Sequence, residues 1–102
     1  MIDLQAVLHH ICHISHAYRG QVQVLRNLKE HGEIGFLCCI DVPNSQLTNM
    51  NARDATQPLL ATIRQRINQT HPDVVVEALD AQRYPMPNET FLYKLFLRVL
   101  AD

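Results

Sequence analysis

The stretch that most limits what this chain can fold into is TFLYKLFLRVL, residues 90–100. Only Lys94 and Arg98 carry charge in it, and by composition alone it would suit a helix as well as a strand. Its upstream neighbours decide the matter. DVVVEALDAQR (73–83) opens on a run of β-branched valines, which favour extended backbone. YPMPNE (84–89) then places two prolines and an asparagine between the two segments, as a turn does. The pair reads as a hairpin, with 73–83 and 90–100 as its strands. Strand geometry sends alternate side chains to opposite faces. Tyr93, Leu95, Leu97 and Val99 then share one face, and Leu92, Lys94, Phe96, Arg98 and Leu100 the other. Both faces are largely apolar, as a strand in the middle of a sheet requires.

The first half of the chain repeats this order of elements without repeating its residues. Leu4, Val7, Leu8, Ile11, Ile14 and Tyr18 recur at helical spacing, with Asp3 as the N-cap and Gly20 as the left-handed residue closing a helix over 4–18. QVQVLRNL (21–28) alternates polar and apolar residues, KEHG (29–32) is a turn, and EIGFLCCIDV (33–42) is a richer apolar run, so 21–42 is a second hairpin. The stretch 43–53 is a loop. A second helix is expected over 54–69, with Asp54 and Gln57 at capping-box spacing, Pro58 in its first turn and Leu59, Leu60, Ile63 and Ile67 along its inner stripe. The result is a single α+β domain over 1–102 in the order α-β-β-α-β-β. Two helices lie on one face of a four-stranded antiparallel sheet, a ferredoxin-like arrangement in circularly permuted order. That topology puts 33–42 and 90–100 in the centre and the more polar 21–28 and 73–83 at the edges, where polar residues discourage stray pairing.

The segment HHICHISH (9–16) raises the question of a metal. At about 100° per residue, His9, Cys12, His13 and His16 gather on the side of the first helix away from its apolar stripe, while His10 falls near the boundary. Neighbours three and four apart can converge on one ion, and imidazole with thiolate suits zinc, nickel or copper. One straight helix cannot close a tetrahedron, however, and no completing motif appears elsewhere: His31 lies in a turn and His71 near the end of the second helix. A solvated polar face is the simpler reading, with a metal-binding protein as the rival.

Nine Lys and Arg against ten Asp and Glu leave a formal charge of −1, which disfavours nucleic acid and anionic membranes as partners. No apolar run suits a membrane span, and Cys12, Cys38 and Cys39 form a poor disulfide framework, so free thiols in a reducing cytoplasm are expected. With Gly20, Gly32 and Gly35 the only glycines, no glycine-rich loop supports nucleophilic catalysis by Cys12, and no other reaction is signalled. The sheet face turned from the helices is the strongest candidate surface. Leu25, Leu37, Cys39, Leu79, Leu92, Lys94, Phe96 and Arg98 are assigned to it by alternation. So much apolar surface suits a homodimer joined sheet to sheet, or burial against another protein or a small ligand. Lys94, Phe96 and Arg98 could alternatively form a base-stacking platform, although the aromatic signature of RNA-recognition sheets is absent.

Overall fold

The computed structural model describes residues 3–28, 34–47, 51–86 and 91–101. Among them the elements run α1 (Leu4–His16), β1 (Gln21–Asn27), β2 (Ile34–Pro43), a short 3-10 turn (Asn44–Gln46), α2 (Ala52–Thr70), β3 (Val74–Pro85) and β4 (Phe91–Ala101). The C-terminal segment is a strand, and the order is α-β-β-α-β-β as read from the sequence. Of the expected turns, 29–32 and 87–89 lie outside the described residues, while Tyr84 and Pro85 belong to β3 rather than to a turn.

Asp3 caps α1 as its position suggests: Oδ1 accepts from the amides of Gln5 and Ala6 at 3.0 and 3.3 Å. The far end differs from expectation. The helix stops at His16, two residues short of Tyr18, and the left-handed residue is Arg19, at φ 56°, rather than Gly20. Gly20 instead serves close approach. Its amide donates to the Ser15 carbonyl at 2.8 Å, and a Cβ there would stand 3.2 and 3.3 Å from methyl carbons of Val42 and Ile40. Tyr18 still packs against the core from beyond the helix.

α2 begins earlier than the capping-box spacing implied. Its cap is Asn51, not Asp54: Asn51 Oδ1 accepts from the Asp54 amide at 2.9 Å, and Asn51 Nδ2 donates to the Asp54 carboxylate at 2.8 Å. This reciprocal pair satisfies an orphan amide at the helix start. Burial of Ala55 and Thr56 then rewards the extra turn. Pro58 consequently sits inside the helix rather than in its first turn, where it withdraws the bond that the Asp54 carbonyl would otherwise accept.

The sheet order is β1-β2-β4-β3, with every pair antiparallel, so β2 and β4 are central as expected. The central ladder is regular from Ile34 opposite Ala101 to Pro43 opposite Leu92. Each edge strand, by contrast, shifts register once: between Val24 and Arg26 in β1, and between Ala78 and Asp80 in β3. Leu25 and Leu79 are the extra residues. Such bulges break the alternation of the edge and bend it.

The core lies between the helices and one sheet face. Val7, Ile11 and Ile14 of α1 and Leu59, Leu60, Ile63 and Ile67 of α2 meet Phe36, Cys38, Ile40 and Val42 of β2 and Leu95, Leu97 and Val99 of β4. Each buried aliphatic side chain contributes about 1.5–3 kcal/mol to folding. Tyr93, also fully buried, extends this face toward the 3-10 turn.

Candidate functional site

The face of the sheet turned from the helices is laid out by the central register. Down β4 it presents Leu92, Lys94, Phe96, Arg98 and Leu100, and opposite them β2 places Pro43, Asp41, Cys39, Leu37 and Gly35. β3 adds Tyr84, Gln82, Asp80, Glu77 and Val75 on the other side of β4. Phe96 therefore sits centrally, with Cys39 across one ladder and Asp80 across the other. Leu37, Leu92, Lys94, Phe96, Arg98 and Leu100 are half-buried by their neighbours, while Cys39 is buried.

Both bases on this face are paired within it. Lys94 Nζ lies 3.5 Å from Asp41 Oδ1, and Arg98 Nε lies 3.8 Å from Glu77 Oε2. Lys94 also stands 5.3 Å from the centre of the Tyr84 ring, within cation–π range. Half-exposed pairs of this kind stabilise a fold by roughly 0–1 kcal/mol, so their larger consequence is local neutrality.

Of the residues assigned to this face from the sequence, Leu37, Cys39, Leu92, Lys94, Phe96 and Arg98 come together there. Leu25 and Leu79 do not follow the alternation that assigned them. Both lie at the edge bulges and are 52% and 53% exposed, and Leu79 lines a groove between α2 and β3. Asp41, Glu77 and Tyr84 join the face without having been singled out. Asp41 and Glu77 follow from the register, which places an acid directly opposite each base.

The cysteines are free thiols. Cys38 and Cys39 point to opposite faces, as adjacent strand residues must. Burial pushes Cys38 up to about 12, with a smaller contribution from Cys39. Burial likewise raises Cys39, to about 11, helped by the Asp41 carboxylate, to which its Sγ donates at 3.4 Å. Both thiols are therefore protonated at neutral pH, and neither is poised as a nucleophile.

His9, Cys12, His13 and His16 are all exposed on α1. Among the described residues no three His, Cys, Asp or Glu side chains stand close enough to hold a metal ion. One histidine contact links α1 to the end of α2: the His10 and His71 rings meet edge to face, with centroids 5.8 Å apart. Partial burial, then the nearby His71, Arg66, His9 and His13, hold the His10 imidazole below its usual 6.5. His10 stood near the boundary of the α1 wheel, which is the signal for a seam position, but its partner could not be named from spacing.

Fold and surface together define a two-layer α+β domain with one sheet face left uncovered. Comparison with protein-family models, with curated proteins and with solved structures finds no match. Among the described residues no helix is long and apolar enough to cross a membrane.

Proposed function

We propose that this chain is a non-catalytic assembly module that pairs with a second copy of itself, sheet against sheet, through Leu37, Cys39, Leu92, Phe96 and their neighbours. The observation that carries the reading is an apolar stripe down both central strands whose only charged members are already paired within the face. A stripe whose charges are paired can be buried against its own copy without stranding them, and Asp80 beside it is held by the Ala81 amide and Gln82 Nε2. The size is also suitable. Strands of this length and number span an area of about 36 by 19 Å, or roughly 700 Å² per protomer, close to the ~800 Å² that each side of a stable interface usually buries.

Sedimentation equilibrium on the wild type and on Phe96→Glu tests this. The wild type is expected to be a dimer at micromolar concentration. Phe96→Glu puts a carboxylate beside Asp80 at the centre of the interface and should be a monomer with an unchanged circular-dichroism spectrum, because Phe96 faces away from the core. A monomeric wild type, or a variant that associates equally well, would sink the proposal.

A further inference from the structure

On the opposite layer, α2 and β3 enclose a groove of about 480 Å³. Small-molecule sites commonly measure about 300–1,000 Å³, so it is large enough for one. Its origin is local. Arg53, Gln57, Leu60 and Arg64 recur at spacings of four, three and four along α2, which aligns them on one stripe facing β3. Across from them β3 is at its register shift, where Leu79 is the extra residue and the strand bends. The floor is apolar and dry: Leu60 and Leu95 are 2% and 1% exposed.

The polar lining has a definite sign. Two guanidinium groups, Arg53 and Arg64, border the groove against one carboxylate, Asp80. That carboxylate is already engaged, accepting from the Ala81 amide and from Gln82 Nε2. Arg64 is held in place by its Nε, which donates to the Val76 carbonyl at 3.0 Å. This bond orients the planar fork in advance and leaves its two Nη nitrogens to grip an anion. An oriented cation over an apolar floor loses little freedom on binding.

We propose that this groove binds a small organic anion, a carboxylate carried on an apolar body, with Arg53 and Arg64 holding the charge and Leu60, Leu79 and Leu95 receiving the body. The site lies between α2 and β3 and meets the sheet face only at Asp80.

The test is a ¹H–¹⁵N correlation titration of the full chain with 4-phenylbutyrate, and with its uncharged amide as control, at millimolar concentration. Shifts are expected at the amides of Gln57, Leu60, Arg64 and 78–81. Affinity should fall about ten-fold for the amide, and by a similar factor in Arg53→Gln and in Arg64→Gln. Arg53→Gln guards against misfolding, because Arg53 is exposed on the first turn of α2. Leu37→Glu, on the sheet face two strands away from β3, should bind the probe as the wild type does, whatever its oligomeric state. Equal binding of acid and amide, shifts centred on Leu37 and Phe96, or no shift at all would overturn the proposal.

Discussion

Gly35 offers the sharpest test of the central ladder. It lies in β2 opposite Leu100 of β4, and its carbonyl accepts from the Leu28 amide at 3.0 Å. A Cβ built on it would stand 2.1 Å from the Val99 carbonyl oxygen and 3.1 Å from both Leu100 Cα and Leu100 Cδ2. Ordinary carbon–oxygen contacts between strands are about 3.3–3.6 Å, so Gly35→Ala demands a displacement of roughly 1 Å. The obstructing atom is backbone of a central strand, which cannot swing aside as a side chain can. Overpacking costs about 1–3 kcal/mol, and here the upper end applies. The lower entropy of an unfolded chain bearing alanine offsets about 0.4–1 kcal/mol of this. The net loss is about 2 kcal/mol, which for a domain of this size lowers Tm by roughly 8–16 °C. Thermal unfolding by circular dichroism reads this directly. It is best done on the Phe96→Glu background, where association should not make Tm depend on concentration. Gly20→Ala is the comparison. Its Cβ would stand 3.0 Å from the Ser15 carbonyl, a clash relieved by a few tenths of an ångström, so its loss should be under about 1 kcal/mol. If Gly35→Ala melts within about 2 °C of its parent, the close strand approach at this end of the sheet is wrong.

Three further outcomes follow from other parts of the fold. Ser15 is fully buried in α1, and its hydroxyl has no hydrogen-bond partner among the described residues. Ser15→Ala should therefore raise the urea midpoint, by up to about 1 kcal/mol of stability, and a clear loss would mean the hydroxyl is bonded after all. Asn51→Ala should cost about 1 kcal/mol through the lost cap of α2, and an unchanged chemical-denaturation midpoint would refute that cap. The His10 imidazole titrates below its usual 6.5 in the folded chain, so between the folded and unfolded values the unfolded state binds the extra proton. Stability should hold above that usual value, fall as pH drops through it, and level off below the folded pKa. His10→Gln should flatten this slope, and a slope that survives the substitution would move the effect to another group.

The architecture was largely legible because it rests on period. Val7, Ile11 and Ile14 could only face a core from a helix, and Tyr93, Leu95, Leu97 and Val99 only from a strand, and all seven are buried together or beside one another. Placing 33–42 and 90–100 in the centre needed no contact information, since burial on both faces was written in their continuous apolar runs. What misled was competition between local signals. Asp54 with Gln57 has capping-box spacing, yet Asn51 caps α2, because an amide side chain three residues earlier bonds the same region and lets Ala55 and Thr56 be buried. Gly20 is the best left-handed former near the end of α1, yet Arg19 assumes the positive φ, and Gly20 stands where a Cβ would crowd Ile40 and Val42.

The surfaces divide along the same line. Alternation carries down a regular ladder, so Leu37, Cys39, Phe96 and Arg98 could be assigned to one face before any register was known. It cannot cross a bulge, because one inserted residue reverses the parity of everything beyond it. That is why alternation could not fix the faces of Leu25 and Leu79, and why the α2–β3 groove was invisible: it lies at the very shift that defeats the pattern. Arg53 reads in the sequence as the last residue of the loop 43–53 and Gln57 as part of a capping box, and nothing in the spacing of either from Arg64 says what stands opposite. The His10–His71 contact has the same character, since it joins two helices whose relative placement is a tertiary fact. A regular element thus announces its face through its own residues. A site built where two elements meet needs the offset between them, and here the one-residue shift in β3 sets that offset.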